Sequence, residues 1–460
     1  VPFFIAQFFL HGTNKHKLIQ AILLTFVITA IILSGSRAAI LALTGELIIF
    51  SLYWNKKIFA GLAGIIIISS IILLPRFTFE NENLRAVKTR LITWQTTIHQ
   101  IAEKPFLGYG QETFRESFKK FQPKEIFLYE KFGTELDRAH NEILDTTAEI
   151  GLVGLIFYLI FYLNIIKAGF LNKKNILILA ASSSLIGLFI ANMFGFSTTT
   201  HRIFFWLLAG IIIALTQKIK NFKIKIDRTI TVILIVILVF FAFKTAINPV
   251  IADYYYRQSI NSSMEMRDFE AIDYIQKATK TNPYQNEYPI RGAIYSIRSI
   301  KDFSPEEINK IFLEKAQWFF TKAKKDLGEN FSEIIFIKAM IQKSENKIEE
   351  ASATFKTLEL KFPTTPEYIL EEAILLKSFG DQKSAIEKFE KYLSLAPYWQ
   401  KVETLNNLTS YEYNQLRLFI KHNSKFPSYL KEIAELYKQI GDVEKSNYYS
   451  DIAETLEKTF

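Results

Sequence analysis

Long apolar segments fill the first half of the chain, and charged sequence with helical periodicity fills the second half. Runs that are apolar enough to cross a bilayer occur at 18–34, 38–54, 58–74, 147–166, 175–194, 203–216 and 229–247, after an apolar stretch at 1–10. The pattern predicts an all-α protein. We expect a polytopic helical membrane domain at 1–248 and a soluble helical domain at 249–460.

Basic residues lie in alternate loops between the apolar runs. They are Lys15, Lys17, Lys56, Lys57, Lys167, Lys173, Lys174, Lys218, Lys220, Lys223, Lys225 and Arg228. Because basic loops stay in the cytoplasm, loop 75–146, segment 196–202 and residues after 248 are predicted to be extracytoplasmic. Loop 75–146 is long and rich in aromatic residues, so we expect it to fold. The sequence starts within an apolar stretch, and we therefore expect membrane helices upstream of it.

The second half contains an internal repeat with a period of 34 residues. Gly380, Ala385, Phe389, Ala396 and Pro397 follow the same order as Asn346, Ala351, Phe355, Phe362 and Pro363. This spacing resembles tetratricopeptide repeats, in which alanine lies where two helices cross and proline follows the second helix. Further units are predicted around Ala271–Pro283 and from Gly441 onward. By analogy with such repeats, we expect this domain to bind a protein partner.

Composition narrows the possible functions. The net charge is +9, but the lysines flank apolar runs, so we expect no nucleic-acid partner and instead expect contact with membrane lipids. The chain has no cysteine, and its six histidines do not form a metal-binding motif. It also lacks a Walker loop. We therefore expect neither a metal nor another cofactor.

Four polar features fall on the predicted extracytoplasmic side. They are the motif Ser34-Gly-Ser-Arg37, the pair Arg90 and Trp94, the turn Pro105-Phe-Leu-Gly-Tyr-Gly110, and the pair His140 and Asn141. Taken singly, each has an ordinary structural explanation: Arg37 as a helix-end anchor, Arg90 as a solvated side chain, and His140 as a structural histidine. Taken together, two arginines suit a diphosphate and a histidine can accept a proton from a hydroxyl.

These motifs, followed by Glu149-Ile-Gly-Leu-Val-Gly154, resemble the O-antigen ligase family over roughly residues 18–216. The resemblance implies a metal-independent, inverting membrane glycosyltransferase with a GT-C-like fold in the bacterial inner membrane. Its donor would be a glycan linked to undecaprenyl diphosphate. Arg37 and Arg90 would then bind the diphosphate, and His140 would be the catalytic base. Arg138, Asn141 and Glu149 would support the base.

The resemblance leaves the acceptor open, because it can be a hydroxyl of a glycan, a lipid or a protein. The alternatives within the family are a polysaccharide polymerase and a protein O-oligosaccharyltransferase. Outside the family, the same sequence is compatible with a membrane-anchored repeat scaffold for envelope assembly. A transporter is disfavoured because the candidate residues lie outside the apolar runs rather than midway along them.

Overall fold

The computed structural model describes residues 1–10, 13–55, 57, 81–216, 228–301, 304–402 and 408–460. These residues form α-helices and short 3-10 helices and contain no β-strand, which confirms the all-α prediction. The chain divides into two compact units. The first comprises Val1–Glu130 and Glu135–Phe222, and the second comprises Lys131–Thr134 and Lys223–Phe460. The predicted apolar run at 58–74 and residues 75–80 of the predicted loop lie outside the described residues.

In its described residues, the first unit contains helices α1 to α8 and a 3-10 helix at Lys124–Leu128. The α-helices are α1 (Pro2–Leu10), α2 (Asn14–Leu33), α3 (Arg37–Trp54), α4 (Asn81–Glu103), α5 (Phe114–Lys119), α6 (Glu142–Leu171), α7 (Ile176–Asn192) and α8 (Thr199–Thr216). Among the described residues of this unit, α3, α6 and α8 are long and apolar enough to cross a membrane, and α7 is a shorter apolar helix. Helix α8 starts four residues before the predicted run at 203–216, which gives it 18 residues.

Helix α7 lies at the centre of the first unit and packs against α1, α3, α6 and α8. Its buried positions include the small residues Ala180, Ala181, Ser182, Ser183 and Gly187. Small side chains let neighbouring helix backbones approach closely, which is the usual packing of helices in a bilayer. At the end opposite the site described below, the ammonium of Lys173 lies 4.5 Å from the ring centre of Tyr53.

The second unit contains helices α9 to α19. They are α9 (Arg228–Met264), α10 (Asp268–Thr281), α11 (Glu287–Arg298), α12 (Glu306–Leu327), α13 (Ser332–Ser344), α14 (Ile348–Lys361), α15 (Pro366–Ser378), α16 (Gln382–Leu395), α17 (Ser410–His422), α18 (Phe426–Gln439) and α19 (Val443–Thr459). The first part of α9 is a fourth candidate membrane span, and its last part packs against α10. Helix α9 continues through Pro249, so the predicted domain boundary at 248 falls inside one helix.

The helix pairs α13–α14 and α15–α16 follow the predicted 34-residue period in both helices, which begin at 332 and 366 and at 348 and 382. Ala351 and Ala385 are fully buried in equivalent positions of the second helices. Between the paired helices, Asn346 and Gly380 adopt φ values of 59° and 86°. Glycine and asparagine tolerate this left-handed conformation best, which explains the Asn346 and Gly380 match in the sequence.

Candidate functional site

The connection between α2 and α3 presents Arg37 at the start of a helix. Gly35 has a φ of 62°, which turns the chain sharply. The hydroxyl of Ser36 then accepts a hydrogen bond of 3.3 Å from the backbone N–H of Ala39 and caps the helix. Arg37 is consequently the first residue of α3, where the partial positive charge of the helix N-terminus adds to its own charge.

The residue before His140 is fixed through both of its backbone polar groups. The indole nitrogen of Trp94 donates to the carbonyl oxygen of Ala139 at 2.9 Å. The backbone N–H of Ala139 donates to Oδ1 of Asp145 at 2.6 Å. His140 itself has a φ of 55°, an uncommon value for a residue with a side chain. The Trp94 and Asp145 contacts hold the chain in this conformation.

The residue after His140 is fixed as well, because Asn141 caps helix α6. Its Oδ1 accepts hydrogen bonds from the N–H groups of Ile143 and Leu144 at 3.1 and 3.2 Å. Its side-chain amide donates to the carbonyl oxygen of Met193 at 3.2 Å. Asn141 therefore ties the start of α6 to the end of α7 and positions the neighbouring imidazole between them.

Four backbone hydrogen bonds, which we call the backbone exchange, join the 105–110 turn to a kink in α6. Gly151 has a φ of 70°, which interrupts α6 and leaves the N–H groups of the next two residues without helical partners. They donate instead to the carbonyls of Pro105 (2.8 Å) and Phe106 (3.3 Å). In return, the N–H groups of Tyr109 and Gly110 donate to α6 carbonyls at 3.0 and 2.8 Å. The backbones of the turn and of α6 thus approach each other closely.

The residues at the two closest points of this exchange are both glycines. An added Cβ on Gly151 would lie 2.1 Å from the carbonyl oxygen of Phe106, and one on Gly108 would lie 2.5 Å from the backbone of Glu149. Both glycines have positive φ values. Any larger residue at either position would separate the turn from the helix that carries the histidine at its start.

The predicted residues Arg37, Arg90 and His140 line one cleft of about 540 Å³, which we call the cationic cleft. It lies where α3 and α8 begin, where α7 ends, and directly before α6. Three helix N-termini therefore converge on a site that already contains two guanidinium groups. Such an arrangement favours a multiply charged anion such as a diphosphate.

Burial lowers the pKa of His140 below its usual value, and the positive charge of Arg90 lowers it further. Asp137 and Glu130 oppose these effects through their negative charges. The imidazole also meets the ring of Phe196 at a centroid distance of 5.4 Å. A lowered pKa keeps the imidazole neutral at physiological pH, which is the state that can accept a proton.

Arg138 and Glu149 lie in a neighbouring cavity and do not line the cationic cleft. The Arg138 guanidinium donates to Glu149 at 2.5 Å and also to Glu112. Glu112 lies 3.6 Å from Arg202 as well. Arg138 and Glu149, predicted as supporting residues, therefore lie in a different cavity from the predicted base. No comparison tests the proposed roles of these residues, which remain predictions.

The cationic cleft is also lined by three residues that were not predicted from the sequence: Asn192, Phe196 and His201. The sequence did indicate their neighbourhood, because segment 196–202 is predicted to lie on the extracytoplasmic side together with His140. Within the described segments, no group of three or more histidine, aspartate or glutamate residues is arranged to hold a metal ion.

Comparison with known proteins gives a family match for part of the chain. Residues 21–159 match the family model described as O-antigen ligase. A Rickettsia conorii protein named "Putative polysaccharide ligase" is 30% identical over 162 residues, which cover 32% of this chain and 38% of that protein. A protein with the same name from Rickettsia felis is 26% identical over 221 residues, covering 45% and 52%. The chain thus spans about half, or less, of the length of these relatives.

The crystal structure of the MamA protein aligns with 45% of this chain and with 92% of the MamA chain. The two are 13% identical, and the TM-score is 0.29. At that score no argument rests on it, and the repeat architecture follows from the helix pairs themselves. The family match and the four apolar helices agree that this is a membrane protein. The segment that is similar to the O-antigen ligase family model, residues 21–159, contains Arg37, Arg90 and His140.

Proposed function

We propose that this protein transfers a glycan from a lipid diphosphate carrier to an acceptor hydroxyl at the cationic cleft. One observation carries the proposal: Arg37, Arg90 and His140, far apart in the sequence, line a single cleft at the ends of apolar helices. A cleft in this position is open to a carrier whose lipid tail remains in the bilayer and whose polar head lies at its surface.

In the proposed reaction, Arg37 and Arg90 bind the diphosphate of the donor. Each guanidinium can form two parallel hydrogen bonds to phosphate oxygens, and the N-terminus of α3 adds backbone donors. When the bond between the anomeric carbon and the diphosphate oxygen breaks, negative charge grows on the leaving group. The arginines then stabilise the transition state more than the ground state, which is the requirement for catalysis.

His140 accepts the proton of the acceptor hydroxyl as its oxygen attacks the anomeric carbon. The new glycosidic bond forms while the bond to the diphosphate breaks, and the proton stays on the imidazole until it passes to solvent. General base catalysis of this kind contributes roughly 10²- to 10⁴-fold to the rate. The lowered pKa of His140 supports this role, because it keeps the base unprotonated before the reaction.

We further propose that the carrier is undecaprenyl diphosphate and that the cleft faces the extracytoplasmic side of the bacterial inner membrane. The basic residues support this orientation, since Lys173 lies at the opposite end of the unit, beside Tyr53 near the end of α3. The ligase, the polymerase and the protein O-oligosaccharyltransferase of this family differ in the acceptor alone. The ligase is favoured here by the names of the two relatives.

The test is glycan transfer in membranes that contain the full-length protein. We expect His140→Ala to lower the transfer rate by at least about a hundredfold, as loss of a general base predicts. The matched control is His99→Ala, since His99 is an exposed histidine of α4 in the same unit. Equal activity of the His140 and His99 variants would refute the assignment of the base.

A second pair of variants tests whether the protein is an enzyme or a scaffold. In the enzyme proposal, Arg37→Ala and Arg90→Ala strongly lower the transfer rate while the protein still reaches the membrane. In the scaffold alternative, these substitutions leave envelope assembly intact, whereas deletion of residues 253–460 abolishes it. Accumulation of lipid-linked glycan in cells with the arginine variants would support the enzyme.

A further inference from the structure

A second cleft lies beside the cationic cleft in the first unit. It consists of two cavities of about 240 Å³ each, which share Glu142, Tyr158, Ser197 and Arg202. One cavity is lined mainly by charged and polar residues of α6 and of the segment before it. The other extends along α6 and α8 toward aromatic residues such as Trp206. We call the two cavities together the acidic cleft.

Carboxylates outnumber guanidiniums in and around the acidic cleft. Glu112, Glu142, Asp145 and Glu149 face the two guanidiniums of Arg138 and Arg202. The two arginines are already engaged, Arg138 with Glu149 and Glu112, and Arg202 with Glu112. The surplus of carboxyl groups over free guanidiniums makes the acidic cleft less suited to a diphosphate than the cationic cleft.

One carboxylate oxygen in this cleft has an unused capacity for hydrogen bonding. Asp145 lines the cleft and is only 7% exposed. Its Oδ1 accepts from Ala139, whereas its Oδ2 is buried and has no hydrogen-bond partner among the described residues. A buried carboxylate oxygen without a donor is energetically costly, so a donor supplied by a ligand would stabilise it.

We propose that the acidic cleft binds a neutral, hydroxyl-rich saccharide of the acceptor, an inference that rests on the proposed function. The oxygens of the carboxyl groups in this cleft accept hydrogen bonds, and they therefore match sugar hydroxyl groups. The aromatic rings of Tyr158, Phe205 and Trp206 supply flat apolar surfaces for the carbon-bound face of a sugar ring. A saccharide satisfies both types of surface, whereas a diphosphate satisfies neither.

Two residues line both the cationic cleft and the acidic cleft, and their position explains how the two substrates meet. Asn192 lines the cationic cleft and the aromatic cavity, and Phe196 lines the cationic cleft and the charged cavity. The ring of Phe196 contacts the imidazole of His140. A hydroxyl of a sugar in the acidic cleft can therefore approach His140 past Phe196, while the donor diphosphate lies at Arg37 and Arg90.

Binding is tested with the full-length protein in lipid nanodiscs and a photoreactive alkyl maltoside as the neutral glycoside probe. We expect crosslinks at residues of the acidic cleft, identified by mass spectrometry. Glu142→Ala and Trp206→Ala should each lower the labelling by roughly tenfold, since a lost hydrogen bond or ring contact costs about that factor. Trp54→Ala, at the far end of α3, is the matched control and should label normally.

Competition separates the two clefts and the two classes of acceptor. Excess geranylgeranyl diphosphate should leave the labelling unchanged, because it is directed to Arg37 and Arg90. Three results would overturn the proposal: protection by the diphosphate, equal labelling of the Glu142 and Trp54 variants, or competition by a serine-containing peptide but not by free maltose. The last result would assign the cleft to a protein acceptor.

Labelling requires no turnover, so its outcome is independent of the proposed chemistry. The His140→Ala variant should label as strongly as the unmodified protein. If that variant labels normally yet still transfers glycan, the proposed base is wrong while the acidic cleft stands. If the His140→Ala variant labels normally and loses transfer, the proposed base stands. If, in addition, the Glu142→Ala and Trp206→Ala variants label as strongly as the unmodified protein, the acidic cleft does not bind the saccharide.

Discussion

The backbone exchange at Gly151 gives a prediction whose size follows from the structure. Replacing Gly151 by alanine forces a residue with a side chain to adopt a φ of 70°, at a cost of about 1–2 kcal/mol. The new Cβ would also lie 2.1 Å from the carbonyl oxygen of Phe106, so the turn must move away. The N–H groups of Leu152 and Val153 then lose their partners, at about 1 kcal/mol each.

The sum is roughly 3–4 kcal/mol, a large part of the stability of a typical domain. We expect the melting temperature of the purified protein in nanodiscs to fall by about 10 °C. Gly210→Ala is the matched control, since Gly210 lies in α8 and an added Cβ would meet nothing within 4 Å. That substitution should keep or slightly raise stability, because alanine favours helices over glycine. Equal melting temperatures of the two variants would refute the reasoning.

Three further predictions concern the histidine, its neighbours and the repeats. Burial and the charge of Arg90 lower the pKa of His140, so the acid limb of the kcat/KM profile should lie below the usual pKa of a histidine. Arg90→Lys should preserve this acid limb, whereas Arg90→Ala should move its midpoint upward in the remaining activity. Trp94→Phe removes the hydrogen bond to the carbonyl preceding His140 and should cost about 1 kcal/mol in the free energy of unfolding, measured by denaturant titration. Ala385→Leu should overpack the fully buried contact between α15 and α16, at a cost of about 1–3 kcal/mol, and should lower the melting temperature of the protein by several degrees. The control Ala353→Leu changes an exposed alanine and should leave the melting temperature unchanged.

Features that depend on neighbouring residues could be predicted from the sequence alone. The apolar runs at 38–54 and 175–194 correspond to α3 and α7, because a helix that satisfies its own backbone in a bilayer needs only length and apolar side chains. The 34-residue repeat could also be predicted from the sequence, since Ala351 and Ala385 recur at equivalent, fully buried positions of the second helix in each pair. The alternation of lysines indicated which loops share a side of the membrane.

Helix ends were less predictable where they depend on contacts with distant residues. The proline at 249 suggested a boundary, yet α9 continues through it to Met264. Conversely, the glycine at 151 interrupts α6, and its effect is offset only because the 105–110 turn supplies hydrogen-bond partners. The sequence alone contains no sign that this turn lies there.

For the candidate site, the sequence by itself determined the chemical inventory and its predicted side of the membrane: two arginines and one histidine beside apolar helices. Only the tertiary structure decided that Arg37, Arg90 and His140 line one cleft, that Arg138 and Glu149 belong to another, and that Phe196 separates them. The physical reason is the range of the interactions. Hydrophobic length and charge alternation are local properties of the chain, whereas a cleft arises where several helix ends meet, and their meeting depends on packing between residues far apart in sequence.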